Sequence, residues 1–214
     1  MFADLQLLQC HQGSDEWKNT RLGIPTASRF HRIMTSKGQS SKQKIDFMYE
    51  LLEEYITQTP YFNYQSEDMK RGVLLENTAR QLYEKTTNNQ VYEVGGVWYQ
   101  GKHKILASPD GLMPNLRKGL EIKCPKINNH IDYIDKNKLP TKYILQVQGC
   151  LWLTNYQTWD FVSFCPEYKK QPFFMITVAR DEHLIQQMKN HICQFSDELE
   201  QLKIQLQKKN KKCR

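Results

Sequence analysis

Two short segments hold side chains whose types and spacing can do chemistry: Ser108-Pro109-Asp110-Gly111 and Glu121-Ile122-Lys123. Taken alone, each has a plain structural reading. Pro-Asp-Gly is strong turn chemistry, and Glu121 with Lys123 can be an ordinary charge pair on a solvated strand. Residues two apart on a strand point the same way, so Glu121 and Lys123 share one face and Ile122 takes the other. Together the segments say more. Residues 114–119 can reverse the chain, and a hairpin of that length brings Asp110 beside Glu121. Two close carboxylates repel each other unless a cation sits between them. Magnesium suits that place, because it prefers hard oxygen ligands and keeps several waters. It would lower the pKa of a water and polarise a phosphoryl oxygen. Lys123 can orient that water or offset charge developing on the phosphate.

Further candidates stand outside these segments. Glu76 lies on an expected helix, with Gly72 and Ala79 one turn away as small residues that let the helix approach a sheet. Its plain reading is an exposed glutamate paired with Arg80 at i+4. Gln146 and Gln148 interrupt an apolar helix, and buried amides must find partners. Gln148 reads as a satisfied core glutamine, whereas Gln146, one turn after Tyr143, can face the site. Arg21 and Ser28 fall in a stretch with little acid, and a guanidinium beside a hydroxyl can cradle a phosphate. A surface arginine and a helix cap is the plain alternative.

The elements that must position these groups follow from patterning. Ser14 is a helix start before Trp17, and Thr26-Ala27-Ser28 opens a second short helix. Helices are expected over residues 42–57 and 69–86. Short strands are expected over 91–94, 96–99, 104–107 and 120–123. Helical pattern returns over 127–136 and 141–153, and strands over 158–164 and 173–178. The last segment, 181–207, is a long helix whose apolar residues Ile185, Met188, Ile192, Phe195, Leu199, Leu202 and Leu206 form a heptad seam. Its first half is expected to pack on its own domain and its second half to be able to touch a neighbouring subunit. This order indicates an α/β domain with a mixed central β-sheet flanked by helices.

Composition bounds the reading. A chain of 214 residues suits one domain. The most apolar run, 143–153, is broken by Gln146 and Gln148, so no membrane span is expected. Asp4 and the lack of a basic flank argue against a signal peptide. Cys10, Cys124, Cys150, Cys165, Cys193 and Cys213 are scattered, which disfavours structural zinc or an iron–sulfur cluster and suits a reducing cytoplasm. The formal net charge is +7, but Lys203, Lys208, Lys209, Lys211, Lys212 and Arg214 sit in the acid-free residues 201–214, leaving residues 1–200 at +1. Overall basicity is therefore no evidence for a polyanion-binding body. Local groups such as Lys37, Lys42 and Lys44, or Lys102 and Lys104, would have to supply it. The tail itself reads equally as a solvated terminus or as a DNA or partner contact.

Several pieces occur in one order: Gly-Ser-Asp-Glu-Trp from Gly13, Arg-Leu-Gly-Ile-Pro-Thr-Ala-Ser from Arg21, and Glu76-Asn77-Thr78-Ala79-Arg80. Ser108-Pro109-Asp110-Gly111, Leu-Glu-Ile-Lys-Cys-Pro from Leu120 and Gln146-Val147-Gln148 before Trp152 complete the set. From about Gly13 to Leu184 the chain resembles the bacteriophage lambda exonuclease family, within the PD-(D/E)XK nuclease fold. The resemblance implies a restriction-endonuclease-like core, with one nuclease domain over residues 1–207 and a basic tail over 208–214. It implies that Asp110, Glu121 and the Ile122 carbonyl hold Mg2+, with Mn2+ as a possible substitute. Lys123 would position the attacking water, and Glu76 would be the further acidic residue. Arg21, Ser28, Ser108 and Gln146 would hold a terminal 5′-phosphate, and Met69 would be an apolar wedge. It also implies 5′-to-3′ digestion of double-stranded DNA ends to mononucleotides, leaving a 3′ strand for a single-strand annealing protein. A homotrimeric ring and a place in the cytoplasm of a bacterial host, in a phage or prophage context, belong to the same expectation. Residues 1–12, segment 125–142 and the end after Leu202 depart from the family's pattern. An endonuclease of the same fold and a silent DNA-binding scaffold are the competing readings, and the intact Asp110, Glu121 and Lys123 argue against the second.

Overall fold

The computed structural model of the chain describes residues 2, 4–61 and 66–212. Cys213 and Arg214, the end of the basic tail, lie outside the described residues, as does Met1.

Two sheets form where a single one was expected. In the first, β1 (Leu7–Leu8), β2 (Gly96–Trp98) and β3 (Leu106–Ala107) pair antiparallel in that order. In the second, the order is β4 (Gly111–Met113), β5 (Lys118–Lys123), β6 (Thr158–Phe164) and β7 (Phe173–Ala179). β5 and β6 run parallel and the outer pairs antiparallel, so this sheet is mixed as expected. The chain passes from one sheet to the other through Ser108, Pro109 and Asp110, and Pro109 has no N–H to extend a ladder. The expected strand over 91–94 survives only as an isolated bridge between Tyr92 and Leu112.

The β4–β5 hairpin turns through a 3₁₀ helix (Pro114–Leu116) and Arg117, whose φ is 48°. Parallel strands need a long crossover, and between β5 and β6 it holds two of the helices. Helix α1 spans Asp15–Thr20, α2 Lys44–Thr57 and α3 Glu67–Thr87. Helix α4 spans Ile127–Lys136, α5 Ile144–Thr154 and α6 Glu182–Lys212. Four of them end on a left-handed residue that stops the helix: Gln58, Asn88, Asn137 and Asn155. The short element after Thr26 is a 3₁₀ helix (Ala27–Arg32) and not an α-helix.

Helix α5 is buried almost all round, which is why its apolar pattern shows so little periodicity. Its Gln148 is a satisfied core glutamine: Nε2 donates to the Ala179 carbonyl at 2.9 Å and Oε1 accepts from Asp181 N at 2.9 Å. Gly149 sits where a Cβ would meet the Phe30 ring at 2.8 Å, so only glycine lets the 3₁₀ helix lie this close to α5.

The α6 seam packs on the chain's own core along its length. Ile185, Met188, Ile192, Phe195 and Leu199 are buried, and Leu202 and Leu206 pack at the edge of the same cluster. Phe195 stacks on Phe47 of α2, with ring centroids 5.5 Å apart. The second half is therefore engaged within the chain. Lys203, counted above with the tail, is buried and donates to the Gly23 carbonyl at 3.1 Å. The helix backbone runs past residue 207 without a break, as far as Lys212.

Candidate active site

β5 divides its side chains as its period of two requires. Leu120, Ile122 and Cys124 pack with Ala79 and Tyr83 of α3. Glu121 and Lys123 face the other way and form an ion pair through Glu121 Oε1. The hairpin register pairs Gly111 with Leu120, so Asp110 stands opposite Glu121. Asp110 Oδ2 accepts from Ile122 N at 2.6 Å, and Asp110 N donates to the Leu120 carbonyl at 3.2 Å. The plain turn reading of Pro-Asp-Gly fails here. Gly111 lies in β4 with no left-handed φ, and it is glycine because Val91 Cγ1 would stand 2.2 Å from a Cβ.

Glu121 is fully buried. Its Oε1 accepts from Gln146 Nε2 at 2.6 Å as well as from Lys123, while its Oε2 is buried without a hydrogen-bond partner. A buried anionic oxygen left unpaired is costly, so this atom is a fit for a cation. Burial, against the pull of Lys123 and with the push of Asp110, raises the Glu121 carboxyl to about 8. Burial also raises Asp110. For Lys123 burial works the other way, but Glu121 and Asp110 outweigh it and hold the ammonium above its ordinary value. The cluster is thus short of positive charge.

Glu76 combines both of its readings. It pairs with Arg80 at 2.9 Å, as a helical i+4 pair should. Burial first, then the charge of Asp110, pushes its carboxyl up to about 7, so it stands within electrostatic reach of the site. Gly72 does not serve close approach, since a Cβ there meets nothing within 4 Å; buried Ala79 does. Among the described residues, no three His, Cys, Asp or Glu side chains gather at metal-ligand spacing. A hard cation here would take few carboxylates and keep water around it, as magnesium does.

Arg21, Ser28, Ser108 and Gln146 line one pocket. Arg21 Nη1 donates to Ser108 Oγ at 2.6 Å. Burial, with the charge of Arg29, lowers the Arg21 guanidinium to about 10. Ser28 is exposed on the 3₁₀ helix with its Oγ 3.4 Å from Thr26 Oγ1, and it caps nothing. Met69 is exposed on the first turn of α3, two turns before Glu76, and lines no part of this pocket.

Sequence reasoning missed three supports. Gln12 lines the pocket, and its Nε2 donates to the Pro109 carbonyl at 2.8 Å and the Val94 carbonyl at 2.9 Å; nothing in its surroundings signals this. Cys150 lines the pocket one turn after Gln146, a position helical spacing gives away. Arg29 and Arg32 clamp the 3₁₀ helix to α2 by pairing with Glu50 at 2.8 and 2.7 Å, and Arg29 reaches Glu54 at 3.0 Å. The i, i+3 arginines facing an i, i+4 pair of glutamates were the available sign.

Residues 16–157, more than half of the chain, match the YqaJ-like viral recombinase domain. The chain belongs to that family. Solved structures of similar fold agree with this YqaJ-like assignment. An alkaline exonuclease (LHK-Exo) from Laribacter hongkongensis is 33% identical, with a TM-score of 0.85, over 94% of this chain and 100% of that one. The same values hold for LHK-Exo in complex with dAMP. A phage related exonuclease from Haemophilus somnus 129PT is 18% identical, with a TM-score of 0.68 over 86% of this chain and 96% of that one, a likeness of fold. No curated protein matches the chain. No helix among the described residues of this YqaJ-like protein is long and apolar enough to cross a membrane.

Proposed function

We propose that the chain is a magnesium-dependent 5′-to-3′ exonuclease that digests double-stranded DNA from its ends, releases 5′-mononucleotides and leaves a 3′ single strand for annealing. The observation that carries this reading is Glu121. One of its oxygens is held by Lys123 and by Gln146 of the adjoining pocket, and the other is buried and unpartnered. Its relative LHK-Exo, named an alkaline exonuclease and solved with dAMP, supports the same reading.

Asp110, Glu121 and the Ile122 carbonyl would hold the cation in the manner of a PD-(D/E)XK nuclease. When bound it supplies Lewis acidity toward a phosphoryl oxygen and a more acidic water. The rest is done by the chain. Ile122 N fixes the Asp110 carboxylate through its hydrogen bond. Lys123 keeps its charge beside Glu121 and offsets the negative charge that grows on the phosphate under attack. Gln146 holds Glu121 still by donating to it. Arg21, Ser28 and Ser108 receive a terminal 5′-phosphate, which sets the scissile bond one nucleotide away beside the carboxylates. Glu76 adds a further acidic group from α3, and Met69 on the same helix wedges the strands. The partners of this reading are DNA with 5′-phosphorylated ends, a single-strand annealing protein and two further copies in a ring. Manganese is the expected substitute ion, and the expected setting is the cytoplasm of a bacterial host of a phage or prophage.

Linear duplex labelled at one end tests it, with magnesium or chelator and with or without a 5′-phosphate. Digestion should start at the 5′-phosphate end and stop in chelator, and a closed circle should resist. Cutting of the circle, or persistence in chelator, overturns it.

A further inference from the structure

The pocket's cation has no carboxylate in direct contact among the described residues, and Glu54 acts on it only from a distance. No ion pair to Arg21 forms among the described residues; its close contacts are the Ser108 hydroxyl at 2.6 Å and the indole of Trp17, whose ring centroid is 4.0 Å from Arg21 Cζ. Trp17 is itself fixed. Its Nε1 donates to the Gly95 carbonyl at 2.8 Å, and its N–H is capped by Ser14 Oγ at 3.1 Å. It stands on α1, a six-residue helix that buries no residue in the core, so core packing does not explain a tryptophan there. Trp17 and Arg21 are four residues apart, which puts them on one side of the same turn of chain.

We infer that Trp17 is a positioning and specificity-determining residue: its ring sets the Arg21 guanidinium plane to meet a terminal phosphomonoester. The inference rests on the phosphate-pocket reading above and deepens it. A guanidinium on a flexible stem has to be held before it can offer a fixed fork of N–H groups. A carboxylate would hold it more strongly, but would neutralise it and repel the incoming dianion. An aromatic face attracts the cation through its quadrupole and carries no net charge. With the plane set by Trp17 and rotation within the plane limited by Ser108, the remaining N–H edge is free for the ligand.

The test compares full-length wild type with Trp17→Leu, Trp17→Phe and Arg21→Ala on linear duplexes ending in 5′-phosphate or 5′-hydroxyl, measuring kcat and KM. Removing a cation–π partner changes affinity by roughly threefold to thirtyfold. Trp17→Leu should therefore raise KM for phosphate ends by about tenfold, with a smaller change for hydroxyl ends and in kcat. Trp17→Phe should retain most of the preference, a rescue that a purely structural role would not order as Trp, Phe, Leu. If Trp17→Leu and Trp17→Phe slow both ends equally, or change neither, while Arg21→Ala erases the preference, Trp17 does not position Arg21 and the inference fails alone. If Arg21→Ala keeps the preference, the pocket reading fails and takes the inference with it. Should Trp17→Leu not fold, Trp17→Met takes its place, with competition by inorganic phosphate against digestion as a second readout: a raised inhibition constant together with a weakened end preference fits, and an unchanged inhibition constant overturns the inference.

Discussion

Gln146 Nε2 donates to Glu121 Oε1 at 2.6 Å, and the same side chain lines the pocket that holds Arg21 and Ser108. One amide therefore belongs both to the carboxylate cluster and to the pocket beside it. Occupation of the pocket and the setting of Glu121 are joined through a single side chain.

Gln146→Leu should consequently damage two properties together. A hydrogen bond to a charged group is worth about 1.5–3 kcal/mol, so turnover should fall by about tenfold to a hundredfold. The preference for a 5′-phosphate should shrink in the same variant. Gln146→Glu should be worse, because it sets a carboxylate against Glu121. Steady-state kinetics on the two kinds of end measure both effects; loss of preference at full turnover would show the two halves to be independent.

Metal binding has a readout apart from activity. A ligand present at a hundred times its Kd stabilises the folded state by about 2.7 kcal/mol. Saturating magnesium should raise the unfolding midpoint of the wild type, and Asp110→Asn or Glu121→Gln should lose that rise. A wild-type midpoint indifferent to magnesium rejects the site.

Lys123→Ala should separate chemistry from binding. The ammonium pairs directly with Glu121, and charge stabilisation or proton control in such a position is worth about 10²–10⁴ in rate. Duplex affinity, measured with chelator present, should stay within a few-fold of wild type. A parallel loss of affinity would assign the lysine to DNA holding instead.

Stability of the pocket wall rests on Glu50. It accepts from both Arg29 and Arg32, and its side chain is only 11% exposed. Glu50→Gln leaves two guanidinium groups with one carboxylate, Glu54, between them. Loss of charge-assisted bonds of this kind costs about 1–3 kcal/mol, which a urea midpoint would reveal. Because the 3₁₀ helix carries Ser28, discrimination for the phosphate end should weaken too.

Arg71 ties α3 to the loop after β6 by donating twice to Glu167, at 2.6 and 2.5 Å. Its hydrogen bonds hold the Glu167 carboxyl down at about 2. A folded-state value below the unfolded one means the contribution is complete above the unfolded value of 4.5 and fades as the pH drops toward 2. Glu167 is largely exposed, so solvent screening keeps the effect below about 1 kcal/mol. The stability gap between wild type and Glu167→Gln should be flat above pH 5 and close between pH 4.5 and 2. A gap that widens on acidification contradicts the assignment.

The strongest local patterns are legible in the amino-acid sequence itself. Alternation along Glu121-Ile122-Lys123 gave the correct faces, the length of 114–119 gave the hairpin, and the α6 seam gave the long helix. What escaped depended on contacts between distant segments. β1 has two residues, too few for a pattern, and exists because β2 pairs with it. Gln12 reaches Pro109 across a separation that no spacing rule covers. The division into two sheets follows from Pro109, whose sequence context read as a turn. Charge counting groups Lys203 with a basic tail that reads equally as a solvated terminus or a DNA or partner contact, whereas its ammonium is buried and bonded to the Gly23 carbonyl and Glu200.

The division of labour along β5 has a consequence for how this chain can change over time. Alternate residues of one strand serve the carboxylate site and the hydrophobic layer under α3. Insertion or deletion of a single residue inside β5 would exchange the two sets, sending Ile122 outward and Glu121 into the layer. Lineages can therefore explore this strand by replacement alone. Variation in length belongs to the turn before it, where Leu116 is exposed and Arg117 already adopts a left-handed conformation.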